Sequence, residues 1–196
     1  MKDEPRAAGD AEIVARVIRG ETDLYAILLE RHSGRITSLV KRHVPGNCVE
    51  ETAHEIFIKA YKGLVGLEDG ANFGKWISVI AVRTCCDCLR RQYRTREIPV
   101  SGLSRNHQDW LESALSDESG RRFHEAARKD EAREVLDWAL DRIAPEDRMV
   151  LNLVYLEGLS GKEAARLLGL SVVNVKVRSF RARKKLERLI GGAMKR

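Results

Sequence analysis

Apolar residues recur at helical spacing through two long stretches of the chain. The clearest case is Ala53, Ile56, Phe57, Ala60, Tyr61 and Leu64, which fall at i, i+3, i+4, i+7, i+8 and i+11 and so form one stripe on a helix. A stripe of that width needs neighbours. Leu24, Ile27, Leu28, Ile36, Leu39 and Val40 supply a partner helix, and Pro45-Gly46-Asn47 carries the turn residues expected at its end. A further helix from about Phe73 to Tyr93 turns Trp76, Ile77, Ile80, Ala81, Thr84, Cys85, Cys88 and Leu89 to its inner side, with Asn72 placed as its N-cap. Ala11 to Arg94 therefore reads as a block of four helices.

From Glu97 to Lys129 the periodicity fades into Pro, Gly, Ser and mixed charges, as in a linker, with a short helix near Trp110. Helical pattern then resumes. Val135, Leu136, Ala139, Leu140 and Ile143 form one stripe, and Met149, Val150, Leu153, Val154 and Leu156 form the next. The fold class that follows is all-α: two small helical domains joined by a flexible linker, divided as 1–96, 97–129 and 130–196.

The most specific local pattern lies near the C-terminal end. Ser160-Gly161-Lys162-Glu163 has the Ser-x-x-Glu form of a capping box, so a helix should begin at Gly161. Gly169 can adopt the left-handed conformation that ends it, and Ser171 can cap a second helix from Val172 to about Ile190. Two helices joined by so short a turn, with small Ala164 and Ala165 where helices must approach, predict a helix-turn-helix. On the second helix Val175, Ala182, Leu186 and Leu189 share one side. Val173, Lys176, Val177, Phe180, Arg181 and Lys184 are left facing outward. Exposed valines and a phenylalanine among cations suit a DNA major groove, where thymine methyls accept apolar contact and guanine edges or phosphates accept Arg and Lys. A basic amphipathic helix with no specific partner would carry the same charge.

Composition sharpens this reading without deciding it. The 196 residues carry a formal charge of +6, and the segment Ser171–Arg196 alone holds nine Lys or Arg against the single acid Glu187. That concentration fits a polyanionic partner. No apolar run is long enough to cross a bilayer, and MKDEPRAAGD has no apolar core of the signal-peptide kind, so membrane insertion is not expected and the cytoplasm is the expected location. Cys85, Cys86 and Cys88 do not have the spacing of a disulfide framework. Cys85 and Cys88 fall on the apolar face as small hydrophobes, leaving the alternative of a metal pair with His54 or His107, whereas Cys86 points elsewhere as a candidate oxidisable thiol. No phosphate-binding glycine loop, zinc-protease pattern or nucleophile elbow occurs, so no catalytic residue, metal or cofactor is assigned and no enzyme activity is expected.

With LEGLSGKEAARLLGLSVVNVKVRSFRARKKLERL in view, the C-terminal block resembles the promoter-binding domain of extracytoplasmic-function (ECF) sigma factors of the sigma-70 superfamily. The matching features are Leu168 to Ser171, Val175-Lys176 and Arg181-Ala182-Arg183. Glu50-Glu51-Thr52-Ala53-His54-Glu55-Ile56-Phe57-Ile58-Lys59-Ala60-Tyr61 looks like the sigma helix that docks on the polymerase clamp. Phe73 and Trp76, followed by Ile80 and Ala81, look like the helix that reads the minus-ten element.

The resemblance implies a role for each set. Glu51, His54, Glu55 and Lys59 would meet core RNA polymerase. Asn72, Phe73, Lys75, Trp76, Val79 and Arg83, with the loop from Leu67, would engage minus-ten DNA and an extruded base. Lys176, Val177, Arg178, Phe180, Arg181 and Lys184 would address the minus-thirty-five duplex. It also implies contact with the polymerase clamp and flap, promoter DNA, and an anti-sigma factor as a further partner. His54 stands where the family commonly has glutamine, Arg83 where asparagine is frequent and Ser179 where an apolar residue packs. Two other readings stay open at the level of sequence: a stand-alone helix-turn-helix regulator, and a helical adaptor that binds no nucleic acid.

Overall fold

The computed structural model describes residues 8–67, 72–95 and 135–193, and every regular element among them is helical. The expected linker at 97–129, the short helix near Trp110 and positions 68–71 of the loop after Leu67 lie outside the described residues. The chain divides into two compact units, Met1–Arg91 with Lys162–Ser171, and Gln92–Gly161 with Val172–Arg196.

In the first unit the four expected helices are α1 (Asp10–Ile18), α2 (Tyr25–His43), α3 (Val49–Gly63) and α4 (Phe73–Thr95). Their apolar stripes make one core: Ile13 and Val14 from α1, Leu28, Ile36 and Val40 from α2, Ile56 and Ala60 from α3, and Phe73, Ile77, Ala81 and Val82 from α4 are all almost fully buried. Burial of each larger side chain is worth about 1.5–3 kcal/mol, so this core dominates the unit's stability. Polar ties fix how the helices meet. Arg31 and His32 of α2 approach the two Asp10 oxygens at 2.8 and 2.7 Å, Tyr25 Oη donates to the Phe57 carbonyl at 2.8 Å, and Arg35 donates to Ser78 Oγ at 2.7 Å. Burial alone would raise the Asp10 pKa, but hydrogen bonds from Arg31 and His32 outweigh it and hold the carboxyl below its ordinary value.

Gly63 ends α3 under the Trp76 indole. A Cβ there would lie 3.1 Å from the indole edge, so the missing side chain lets α4 carry its tryptophan across the end of α3. Tyr61, placed by its spacing in the apolar stripe, is 42% exposed and covers Tyr25 edge-on, with ring centroids 5.0 Å apart.

The second unit holds α5 (135–140), α6 (Pro145–Leu151), a π-helical turn Asn152–Leu156, and α8 (Val172–Ala193). Pro145 opens α6 where its missing N–H costs nothing, and Glu146 and Asp147 place negative charge at the helix's positive end. Leu140, Ile143, Leu151 and Ala182 form a core against which Leu136, Leu186 and Leu189 pack. The stripe expected to run on through Leu156 breaks at the π-turn. Glu157 N–H donates to Asn152 O, a five-residue step that turns Leu156 outward to 65% exposure.

The intervening helix α7 (Gly161–Leu168) buries Ala164 and Ala165 and stops where Gly169 takes φ +68°. Leu170 N–H donates back to Ala165 O at 2.9 Å, the six-to-one bond of a Schellman stop. Helix, three-residue turn and helix thus follow at the expected positions.

Candidate nucleic-acid interface

Three groups of side chains carry the candidate function. On α8, Val175 and Ala182 are 1% exposed and anchor the helix, whereas Val173, Val177 and Phe180 are 68%, 40% and 55% exposed. Lys176, Arg181 and Lys184 are exposed on the same outward side, and the Lys184 ammonium lies 4.9 Å from the Phe180 ring centroid. The outward face therefore presents apolar groups interleaved with cations. Leaving three large apolar side chains in water is unfavourable unless something covers them.

Arg178 does not share that orientation. Its guanidinium donates to Asp147 Oδ1 at 2.7 Å, and it is half-buried against α6. The pair ties α8 to α6. Ser179 is buried as well, and its hydroxyl donates to Tyr155 Oη at 3.2 Å. A polar residue at this packing position is thus satisfied by a phenol rather than left orphaned.

Tyr155 has no place in the candidate set drawn from sequence, yet it joins Ser179 and Arg183 at one side of this surface. Arg183 Nη1 donates to the same phenol at 3.4 Å, its guanidinium lying 6.0 Å from the ring centroid. Hydrogen bonds from Ser179 first, then Arg183, lower the Tyr155 pKa from its ordinary value. Val154, Tyr155, Val175, Lys176, Phe180 and Arg183 line a shallow surface cavity of about 290 Å³. An aromatic residue interrupting an apolar stripe just before the capping box was the only local sign of this. The arginine it meets lies 28 residues further along the chain.

On α4, Asn72, Lys75, Val79 and Arg83 recur at intervals of three and four and lie along one face, exposed except for half-buried Val79. Phe73 is elsewhere. It is fully buried, edge-on to His32 at 5.1 Å and tilted on Trp76 at 5.8 Å between centroids. Phe73, expected among the residues that would engage minus-ten DNA, thus lies in the core of the folded unit. Trp76 is half-buried between Phe73 and Gly63.

On α3, Glu51 and His54 are exposed, while Glu55 and Lys59 sit at the seam with α4. Lys59 Nζ lies 2.9 Å from Glu55, 3.4 Å from Thr84 Oγ1 and 3.8 Å from Asp87, and Arg91 reaches Glu55 at 3.1 Å. Burial would raise the Glu55 pKa, but hydrogen bonds from Lys59 and Arg91 prevail and lower it. The four candidates therefore divide into two open side chains and two that also fasten α3 to α4.

The cysteines are packing residues in this state. Cys85, Cys86 and Cys88 are all buried: Cys86, expected to point elsewhere than the other two, is 4% exposed and lies in the interior as well. No group of three or more metal-ligating side chains occurs among the described residues, and no described helix is long and apolar enough to cross a membrane.

Residues 28–95 match the family model described as sigma-70 region 2, and residues 133–186 match sigma-70 region 4. The chain is 28% identical over 187 residues to the ECF RNA polymerase sigma-E factor of Escherichia coli K12, covering 95% of this chain and 97% of that protein. It is 29% identical over 189 residues to the ECF RNA polymerase sigma-E factor of Haemophilus influenzae, covering 92% and 95%. Among solved structures, CnrH in complex with the cytosolic domain of CnrY is similar in fold, with a TM-score of 0.53 and 24% identity over 93% of this chain and 97% of that one. With matches to region 2 and region 4 following in order and together spanning more than half of its length, this chain belongs to the sigma-70 family, and the curated relatives it is similar to are ECF sigma factors.

Proposed function

We propose that this protein binds core RNA polymerase and directs it to promoters by recognising minus-ten and minus-thirty-five DNA. The observation that carries the reading is the succession, in one chain, of a region 2 match and a region 4 match, each containing an exposed cationic face. No catalytic chemistry is required of the chain itself. It supplies binding energy and strand separation, and the polymerase performs nucleotide transfer.

In this proposal Lys176, Val177, Phe180, Arg181 and Lys184 address the minus-thirty-five duplex, with Arg183 set by Tyr155 at the edge of that surface. Arg178 contributes by fixing α8 through Asp147. Asn72, Lys75, Val79 and Arg83 engage the minus-ten strand, with Phe73 and Trp76 shaping the support beneath them. Unstacking a base costs a few kcal/mol, which contacts to the extruded base and backbone offset. Glu51 and His54, flanked by Glu55 and Lys59, meet the polymerase clamp, and the region 4 half meets the flap. The division 1–96, 97–129 and 130–196 is the corresponding domain proposal.

An anti-sigma protein is the proposed regulator, by analogy with CnrH, which was solved bound to the cytosolic domain of CnrY. The cytoplasm, where polymerase acts, is the proposed location. Run-off transcription with sigma-free core polymerase tests the reading directly. Promoter-specific transcripts are expected on addition of this protein alone. Binding to DNA without polymerase association or transcript formation would instead establish a stand-alone regulator.

A further inference from the structure

We infer, on the proposed reading that α8 lies against the minus-thirty-five duplex, that Tyr155 and Arg183 form a clamp for one phosphate of the promoter backbone, gripped by the Tyr155 hydroxyl and the Arg183 guanidinium. Neither residue belongs to the set that the sequence assigns to that duplex.

The π-helical turn Asn152–Leu156 carries Tyr155 out of the stripe that Met149, Val150 and Leu153 bury, and leaves its side chain exposed. On α8, Ser179 and Arg183 are four positions apart and stand one turn above the other on the same side of the helix. Both reach one oxygen. Ser179 Oγ donates to Tyr155 Oη at 3.2 Å, and Arg183 Nη1 donates to it at 3.4 Å. A phenol oxygen that accepts from two donors keeps its own hydrogen for a third group. No acceptor for that hydrogen occurs among the described residues, and buried Ser179 closes the side toward the core, so the O–H is left to donate outward. The hydrogen bonds from Ser179 and Arg183 also lower the phenol's pKa, and a more acidic hydroxyl is the stronger donor.

Arg183 is open to the same ligand. Arg178, five positions earlier, commits its guanidinium to Asp147, whereas Arg183 is exposed and meets no carboxylate among the described residues. Its contact with the phenol engages one nitrogen and neutralises no charge. A hydroxyl donor beside an unneutralised guanidinium selects an oxyanion. Lys176, two turns earlier on α8, lines the same shallow cavity, whose floor includes Val154 and Val175. Cations over an apolar floor match the phosphate and the deoxyribose of one backbone nucleotide. A protein carboxylate would meet the same donors, but the positive charge continues over Lys176, Arg181 and Lys184, as a chain of phosphates requires and a lone carboxylate does not.

The test forms holoenzyme from the full chain and core polymerase, locates a start site by run-off transcription, and uses the upstream duplex of that promoter as probe, ethylated at one phosphate per molecule. Ethylation removes the charge of that phosphate, so interference maps the phosphates that are contacted. Tyr155→Phe keeps the ring and should weaken binding about tenfold, through loss of one hydrogen bond to a charged group. Its salt dependence should stay unchanged, whereas Arg183→Ala should lower the slope by about 0.9. One and the same phosphate should drop out of the interference pattern in both variants while the others remain. A merely structural role for Tyr155 would weaken every position alike. That result, or full affinity in Tyr155→Phe, would overturn the clamp and leave the promoter reading standing. Tyrosine nitration of the unsubstituted holoenzyme, mapped by mass spectrometry, does not depend on a variant folding: the duplex should protect Tyr155, and equal nitration with and without it would also overturn the clamp. Absence of any holoenzyme transcript would remove the promoter reading, and the clamp with it.

Discussion

Arg178 Nη1 donates to Asp147 Oδ1 at 2.7 Å, tying the middle of α8 to the first turn of α6. The bond separates an ion-paired arginine from the outward-facing cations Lys176, Arg181 and Lys184 on the same helix. Asp147→Ala should cost about 0.5–1 kcal/mol in urea unfolding, because the pair is partly solvated. Arg178→Ala should leave the salt dependence of DNA binding nearly unchanged, whereas Lys176→Ala should reduce its slope by about 0.9 if that ammonium neutralises one phosphate. Titrations across a salt series distinguish the two residues.

Phe73 and Lys75 are two positions apart, yet one is fully buried and the other exposed. Phe73→Ala should remove about 3–5 kcal/mol of stability by opening a cavity beside His32 and Trp76. Lys75→Ala should alter stability by no more than about 0.5 kcal/mol. Its expected loss is in promoter opening, measured by permanganate reactivity of thymines in the melted strand. Equal loss of stability in both variants would contradict this division of labour.

Helix positions were legible in the sequence because the apolar spacing and the stop at Gly169 act over one or two turns. The Gly161–Leu168 helix and the start of α8 fall where capping and glycine chemistry place them. Orientation within the site was less legible. Arg178 and Arg181 have the same chemistry, and nothing local reveals that Asp147 turns one of them inward. Phe73 belongs to a motif that resembles a DNA-reading helix, but in the fold its ring meets His32 of another helix. The Tyr155–Ser179 bond likewise requires a chain separation that periodicity does not encode. The outward turn of Leu156 was hidden for another reason: a π-turn changes the angular step on which a helical stripe is counted.

Arg181 lies exposed on the outward side of α8, close in sequence to Phe180 and Val177 but without the inward tie of Arg178. If it reads a guanine edge, Arg181→Ala should weaken binding to the upstream promoter duplex by about 1–3 kcal/mol and relax preference at one base position. Competition between matched and scrambled duplexes measures both effects. A uniform loss on every sequence would assign Arg181 to phosphate contact instead.

Tyr25 gives the fold a distinct alkaline limit. Its hydroxyl donates to Phe57 O inside the first unit, and burial pushes its pKa from 10.0 to about 12. The folded state therefore keeps this proton at pH values where the unfolded chain has released it. The stabilising contribution is fully present below about pH 10 and is lost as pH rises toward about 12. Tyr25→Phe should lower stability near neutral pH by about 1 kcal/mol through loss of the hydrogen bond. It should also flatten the alkaline decline, because the variant has no phenol to ionise at this position. Urea titrations of both proteins at pH 8, 10 and about 11.5 measure the difference between them, which should narrow with rising pH; a constant gap would show that Tyr25 ionisation does not limit the fold.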